Sequence, residues 1–262
     1  MTGRRLAGPI VPRYIADDVQ DRLVTALALG VYVPGQRLPT EREFATMLGV
    51  SRTSIRAALQ RLTDSGYLEV RRGRNGGYFV LSDWGPESAE HVSRHLVPNW
   101  AEFEALFDAR TLIEPLIART AAERCTTADA TAINDALGAY RSAPDHDASR
   151  IADYALHHAI AMATQNPILV ATSVELRTRI SLNLHAEPYN DEVRQKAIEQ
   201  HRQLVEAVTG HRAEAAANIA ADHFALSEGL IRRLVERAKT EGERSSHENV
   251  PTPDARTGGE AT

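Results

Sequence analysis

Asp153 and His157 are four residues apart in the segment IADYALHHAIAMATQNPIL, a spacing that places both on one face of a helix. An imidazole nitrogen and a carboxylate oxygen can together bind a borderline divalent cation such as zinc or nickel, but a stable site needs at least a third ligand. His201 and His223 are the candidates, because both lie in amphipathic helical patterns beside apolar residues that could turn them inward. The spacing therefore permits a metal site at these four residues.

The alternative is that these histidines are core or surface residues without a metal. The chain contains ten histidines, so some pairs four residues apart are expected by chance. His91 and His95 form another such pair near the predicted domain boundary. Spacing alone leaves both interpretations open.

Arg52 and Arg56 form a second set with chemical potential, because they share one side of a predicted helix. Arginine can form a bidentate hydrogen bond to guanine O6 and N7, so either residue could read a base. In DNA-binding proteins, hydroxyl groups and free N–H groups at helix starts commonly bind phosphate, and the candidate hydroxyls here are those of Ser51, Thr53 and Thr40. The alternative is that the two arginines are solvated helix charges, and the elements around them favour the DNA-binding interpretation.

Three helices are predicted around these residues. Apolar residues at four-residue steps predict a first helix over residues 14–29. Thr40 and Glu43 form a capping box that begins a second helix, which Gly49 ends. Ser51 caps a third helix over residues 52–65. Two helices joined by a tight glycine turn predict a helix-turn-helix.

Two short strands are predicted after the third helix, at residues 67–71 and 78–81, with an Asn-Gly turn signal between them. This hairpin is the expected wing. Residues 1–81 are therefore predicted to be a winged helix-turn-helix DNA-binding domain. A linker is expected at residues 82–86, followed by an all-α bundle of six or seven helices over residues 87–239 and a disordered tail over residues 240–262. The predicted fold is mainly α.

Charge divides the 262 residues in the same way. Residues 1–81 contain 12 arginines and 7 acids, whereas the remaining residues contain 18 basic and 28 acidic side chains. Only the first segment is therefore expected to meet a polyanion. No apolar stretch is long enough to cross a bilayer, no signal peptide pattern is present, and Cys125 is the single cysteine. We expect a cytoplasmic protein that does not bind membranes.

The segment GVYVPGQRLPTEREFATMLGVSRTSIRAALQRLTDSGYLEVRRGRNGGYFV resembles the DNA-binding domain of the GntR family of bacterial regulators. The resemblance implies that Arg42, Arg52 and Arg56 contact DNA and that wing residues around Gly76 enter the minor groove. The family's wing commonly carries Gly-x-Gly before its last strand, whereas this chain has the adjacent pair Gly76 and Gly77. This departure concerns the wing contact alone.

Three later segments resemble the helical FCD ligand-binding domain of the FadR subfamily: LFDARTLIEPLIARTAAER, DYALHHAIAMATQNPIL and EQHRQLVEAVTGHRAEAAANIAADHF. The resemblance implies that a divalent ion, zinc or nickel, is bound by Asp153, His157, His201 and His223. It also implies that Arg110 of the Arg-x-x-x-Glu signature, with Glu114, faces an effector pocket, where a guanidinium could bind a carboxylate. The alternative for these two residues is a surface ion pair four residues apart.

Asn166 and Pro167 match the family's helix-ending Asn-Pro pair and are interpreted as structural.

The leading hypothesis is a transcriptional regulator, a repressor by preference, that binds an inverted-repeat operator as a homodimer. A small organic acid at the metal would alter operator affinity through the linker at residues 82–86. Two alternatives are a regulator for which the ion itself is the signal and a metal-dependent hydrolase joined to a DNA reader.

Overall fold

The structure, a computed structural model, describes residues 14–85, 87–182, 184 and 191–248. Its elements are α1 (Ile15–Ala28), α2 (Glu41–Leu48), α3 (Arg52–Asp64), β1 (Leu68–Arg71), β2 (Gly77–Val80), α4 (Ser88–Leu96), α5 (Trp100–Arg124), α6 (Thr127–Arg141), α7 (His146–Met162), α8 (Pro167–Ile180), α9 (Asp191–Thr209) and α10 (Ala213–Glu248). The predicted mainly helical fold with one small hairpin is confirmed.

Capping residues set the bounds of the helix-turn-helix. The Thr40 hydroxyl accepts the Glu43 N–H at 3.3 Å, and the Glu43 carboxylate accepts the Thr40 N–H at 2.7 Å, which completes the predicted capping box. Gly49 ends α2 in the left-handed conformation, with φ of 65°. Ser51 then caps α3 by accepting the Ser54 N–H at 3.1 Å.

The wing is an antiparallel pair in which Leu68 faces Val80 and Arg71 faces Gly77. The turn between the strands depends on Gly76, because a Cβ atom there would lie 2.3 Å from the Arg71 carbonyl oxygen. The backbone before α2 also joins this hairpin, since the Val80 N–H donates to the Gln36 carbonyl at 2.9 Å. The hairpin is thereby fixed to the start of the helix-turn-helix.

The described part of the chain after the wing contains seven helices, in agreement with the predicted six or seven. The long helices α5 and α10 pack along each other, and α6, α7, α8 and α9 surround them. Buried apolar residues from α5, α6, α7, α9 and α10 form one core of this bundle. Two of the histidines discussed below, His157 and His223, lie against Phe224 of this core.

A second core crosses the predicted boundary at residues 82–86. It joins α1 and α3 to α4 and to parts of α5, α8 and α10. Inside the α1–α4 contact, buried Asp21 accepts hydrogen bonds from His91 Nδ1 at 2.6 Å and from Arg94 Nη2 at 3.0 Å. The helix that follows the linker is therefore packed onto the winged helix-turn-helix, while the exact division into domains stays a prediction.

Two predictions need correction. Residues 240–248, predicted to be disordered, continue α10 to Glu248, whereas residues 249–262 of that prediction lie outside the described residues. Asn166 and Pro167 were expected to end a helix. They instead begin α8, and Asn166 caps it by accepting the Ile168 N–H at 3.0 Å. No helix in the described ranges is long and apolar enough to cross a membrane.

Candidate metal centre and DNA-reading surface

Three of the predicted ligands converge at the edge of the bundle core. His157 lies on α7, His201 on α9 and His223 on α10, and their Nε2 atoms are separated by 3.0–3.1 Å in all three pairs. All three side chains are buried, with residue exposures of 5%, 0% and 8%. Helices that are distant in sequence thus place three imidazole nitrogens around one point.

Asp153, the fourth predicted ligand, lies one turn before His157 on α7. Its Oδ1 atom is 3.4 Å from His201 Nε2 and 3.9 Å from His157 Nε2. The carboxylate therefore stands beside the three nitrogens, slightly farther from them than they are from one another. The structure brings all four predicted residues together.

In two of the three histidine rings, burial favours the neutral state in which an imidazole can bind a metal. Burial lowers the pKa of His157 well below its usual range, and the positive charge of Arg177 lowers it further. Burial, followed by the neighbouring His201, has the same effect on the pKa of His223. His223 Nδ1 also lies 3.2 Å from Gln200 Oε1, a contact in which a proton on Nδ1 would leave the Nε2 lone pair facing the cluster.

Arg110 and Glu114 are both buried, so the interpretation of them as a surface ion pair is wrong. Arg110 Nη1 donates to Ser227 Oγ at 2.9 Å, and its guanidinium lies over the Phe224 ring at 4.3 Å. Glu114 accepts a hydrogen bond of 3.0 Å from Ser173. The Phe224 ring also contacts the rings of His157 and His223, so the Arg110 guanidinium lies near the histidine cluster.

Arg177 is a residue of this centre that the sequence did not indicate. It is buried on α8, its guanidinium lies over the Tyr154 ring at 4.6 Å, and its charge depresses the pKa of His157. An arginine in the last turn of a helix is usually solvated, so its sequence position gave no signal that Arg177 is buried. With Arg110 it gives the centre two buried guanidinium groups.

His91 and His95, the other spaced pair, do not form a comparable centre. The His91 ring contacts Asp21 and Arg94 in the interface between α1 and α4. The group of three metal-capable side chains identified in the described part of the chain consists of the residues on α7, α9 and α10.

The predicted DNA-contacting side chains lie on an exposed surface, in contrast to the buried histidines. Arg52 and Arg56 have side-chain exposures of 62% and 64%, and both guanidinium groups approach Glu41 of α2. The remaining predicted contacts are exposed Arg42, Ser51, Thr53 and Thr40 and half-buried Gly76. Glu41 is an acidic member of this surface that the sequence analysis did not single out.

The N-terminal end of α7 touches the DNA-reading unit. Arg150 Nη1 donates to the Val31 carbonyl at 2.6 Å, and its guanidinium lies over the Tyr32 ring at 5.2 Å. Gln36 donates to the Asp147 carboxylate at 2.6 Å. Beside these contacts a cleft of about 900 Å³ separates α2 from α7. The helix that carries Asp153 and His157 thus also contacts the winged helix-turn-helix.

Comparison with known proteins identifies both parts of the chain. Residues 15–80 match the bacterial regulatory proteins of the gntR family, and residues 105–226 match the FCD domain. The Uxu operon transcriptional regulator of Escherichia coli is 34% identical over 78% of this chain and 80% of its own length. The galactonate operon transcriptional repressor of Escherichia coli is 29% identical over 82% of this chain and 96% of its own length.

A solved structure described as Streptococcus agalactiae GntR is 25% identical and covers 80% of this chain and 97% of its own, with a TM-score of 0.41. The similar proteins are named as transcriptional regulators, and none of those cited is named as an enzyme. The winged helix-turn-helix matches one family model and the helical bundle behind it the other. The chain therefore belongs to the GntR family of bacterial transcriptional regulators and carries an FCD domain.

Proposed function

We propose that this regulator, a member of the FadR subfamily, binds an inverted-repeat operator as a homodimer and responds to a small carboxylate at a divalent metal centre. Asp153, His157, His201 and His223 are the proposed ligands. The observation that carries the proposal is the convergence of three buried histidine Nε2 atoms at 3.0–3.1 Å from one another. Work on a DNA operator implies a cytoplasmic location.

The separation of the nitrogens fits a shared ion. Two nitrogens bound to one zinc or nickel ion at about 2.0–2.1 Å lie roughly 2.9–3.4 Å apart in octahedral or tetrahedral geometry. Without an ion, three nitrogens at this distance cannot satisfy one another, because each neutral imidazole has a single N–H. A proton on His223 Nδ1, directed to Gln200 Oε1, would leave Nε2 of this ring as a ligand atom. The donor set therefore favours zinc or nickel.

The charge of the centre favours a carboxylate effector. One carboxylate ligand leaves a divalent ion with a net positive charge, and the ion would supply a Lewis acid with positions for effector oxygens. Arg110 and Arg177 add two buried guanidinium groups beside the histidines. A guanidinium can bind a carboxylate through two parallel hydrogen bonds. One relative is named as a repressor of the galactonate operon, which supports repression as the mode of action, and galactonate is itself a carboxylate.

The homodimer is supported by an exposed apolar face. Leu112 and Leu116 are four residues apart on α5, with exposures of 67% and 49%, and Ile168 at the start of the neighbouring α8 is 71% exposed. Large apolar side chains of this kind are more stable when a partner covers them. A second copy on this face would produce the two-fold symmetry that an inverted-repeat operator requires.

Transmission of the effector signal is proposed to use α7 as well as the linker at residues 82–86. Asp153 is one turn from Arg150, and Arg150 holds the Val31 carbonyl and the Tyr32 ring of the DNA reader. Tyr32 in turn packs edge-on against Phe44 of α2 at 5.9 Å. A shift of α7 on effector binding would therefore reach the helix-turn-helix through contiguous contacts.

Metal analysis of the purified full-length protein tests this proposal. We expect about one zinc or nickel ion per chain by elemental analysis, and native mass spectrometry at gentle desolvation to detect a co-purified carboxylate. Protein that stays free of metal after incubation with zinc and with nickel would contradict the metal centre. Titration of operator binding with each metal, with and without carboxylates, separates an effector site from a site at which the ion itself is the signal.

A further inference from the structure

Glu41 lies beneath the two arginines of the recognition helix α3. Its carboxylate accepts two hydrogen bonds from Arg56, from Nε to Oε1 at 3.0 Å and from Nη2 to Oε2 at 2.8 Å. Arg52 Nη2 is 3.9 Å from Oε2 of the same carboxylate. The Glu41 side chain is 17% exposed, whereas both arginine side chains are more than 60% exposed. The partly buried Glu41 carboxylate therefore binds the exposed guanidinium of Arg56 and lies close to that of Arg52.

We propose that Glu41 is a specificity-determining residue that positions Arg56 to read one base pair in each half of the operator. The inference rests on the proposed function, in which Arg56 contacts a base edge. Glu41 itself does not contact DNA in this account; it acts through Arg56.

The hydrogen-bond donors of Arg56 allow both interactions at once. A guanidinium has five N–H donors in one plane. Glu41 uses the edge formed by Nε and Nη2 and takes one proton from each. The end formed by Nη1 and Nη2 keeps three protons, and two of them can bind guanine O6 and N7. Arg56 can therefore bind the acid and a guanine in the same conformation.

Fixing the guanidinium in advance should sharpen base discrimination. A free arginine loses side-chain freedom when it docks and can adopt other rotamers to accommodate a wrong base. The two hydrogen bonds to Glu41 hold the plane of the Arg56 guanidinium relative to α2 and α3. The hydrogen bonds from Arg56 lower the pKa of Glu41, so the supporting carboxylate stays charged at neutral pH.

Direct base reading by Glu41 is the main alternative. A glutamate can accept a hydrogen bond from cytosine N4. The limited exposure of Glu41 and the use of both its oxygens by Arg56 argue against that role. A second alternative is that Glu41 only stabilises α2, because an acid in the first turn of a helix is favourable there.

Selection from a randomised duplex DNA library tests the proposal with the full chain. The proteins are wild type, Glu41→Gln, Glu41→Asp, Arg56→Ala and the double variant Glu41→Gln/Arg56→Ala. Asp64→Asn is the matched control, because it removes one acid from the far end of α3, where Asp64 accepts a hydrogen bond from Gln60. Affinity for the selected duplex, for its single-base variants and for unrelated DNA is then measured at fixed salt.

We expect Arg56→Ala to reduce discrimination at one base pair per half-site by about 5-fold or more. Glu41→Gln should reduce discrimination at the same base pair by about 3-fold to 5-fold, while affinity for unrelated DNA is equal or tighter because an acid has been removed. Glu41→Asp should behave like Glu41→Gln, because it keeps the charge at the helix start but not the reach. The double variant should match Arg56→Ala, and Asp64→Asn should keep the wild-type preference.

Each opposing outcome is distinguishable. An unchanged base preference in Glu41→Gln, or equal tightening on all sequences, overturns the positioning role. Loss of preference at a base pair that Arg56→Ala does not affect indicates direct reading by Glu41 and also overturns it. Full retention of specificity in Glu41→Asp would show that only the charge at the helix start matters. If wild type selects no sequence at all, the proposed function has failed rather than this inference.

Discussion

The proposed DNA-reading surface and the proposed metal centre differ in how far apart in the sequence their side chains lie. Arg42, Arg52 and Arg56 lie within two consecutive short helices and remain exposed. The ligands of the proposed centre come from α7, α9 and α10, and the three histidines are buried. One site is a surface arranged by local capping, and the other exists only when the bundle packs.

This difference predicts different consequences for substitution. A change on the exposed surface alters recognition and leaves the free energy of unfolding nearly constant, because little buried area is lost. A change in the buried centre alters metal binding and stability together, because binding of a ligand stabilises the folded state. Stability and recognition should therefore be measured in parallel for variants of each region.

The largest expected effect is that of His201→Ala, which removes the fully buried member of the cluster. We expect bound metal to fall from about one ion per chain to below about one tenth and metal affinity to fall by at least about 100-fold. Elemental analysis and competition with a chromogenic chelator measure both. His158→Gln is the matched control, because His158 follows His157 on α7 but stacks on Tyr154. Equal metal loss in the two variants would contradict the assignment of ligands.

Asp21→Asn tests the contact that joins the two regions. Burial alone would raise the pKa of Asp21, but hydrogen bonds from His91 and Arg94 outweigh that effect and lower it. Loss of the charge inside this contact should reduce the free energy of unfolding by about 2–3 kcal/mol, as measured by urea denaturation at pH 7. The contribution of Asp21 is present above the unfolded pKa of about 4 and is lost as the pH falls through the lower folded value. The variant should therefore lose less stability than wild type on acidification, and parallel pH profiles would contradict this account.

Arg52→Ala should show the opposite behaviour to the buried variants. We expect a loss of about 1–2 kcal/mol in discrimination at one operator base pair, because one arginine–base contact is removed. The free energy of unfolding should change by less than about 0.5 kcal/mol. Fluorescence anisotropy on matched and single-base variant duplexes gives the first value, and thermal denaturation gives the second. A uniform loss on all DNA sequences would reassign Arg52 to phosphate contact.

Much of the DNA-reading unit could be predicted from sequence because its signals are local. The predicted first and third helices, residues 14–29 and 52–65, differ from α1 and α3 by a single residue at each disputed end. Thr40, Gly49 and Ser51 fix helix ends through hydrogen bonds or backbone conformations that involve only near neighbours. Such signals can be recognised in the sequence without knowledge of the tertiary packing.

The centre in the bundle could be predicted only in part. The spacing of Asp153 and His157 indicated a shared helix face, whereas the approach of His201 and His223 depends on how three helices pack. The resemblance to the FCD domain supplied that information. Arg177 was missed because its burial comes from tertiary packing around α8 and not from a local motif.

The contact between Glu41 and Arg56 was missed for a similar reason. The two residues are on different helices, 15 positions apart, and their approach is set by the angle between α2 and α3. The continuation of α10 through residue 248 was also missed, because a polar helix end without apolar periodicity resembles a disordered segment in sequence.

The smallest effect is expected for Arg150→Gln, which weakens the contact of α7 with Val31 and Tyr32. We expect the ratio of operator affinities without and with effector to fall by about 3-fold, roughly 0.5–1 kcal/mol of coupling, with unchanged metal content. Arg202→Gln is the control, because Arg202 pairs only with acids of its own helix among the described contacts. Equal ratios in the two variants would remove α7 from the proposed route.

The most direct test of the account is the affinity of metal-loaded wild-type protein for its selected operator with and without small carboxylates, including galactonate, at fixed salt. We predict that at least one carboxylate weakens operator binding by about 5-fold or more, a coupling in the usual range for regulators. The same carboxylate should have no effect on His201→Ala. Operator affinity that does not respond to any carboxylate in metal-loaded wild type, or that responds equally in His201→Ala, would contradict a sensing centre at the three histidines.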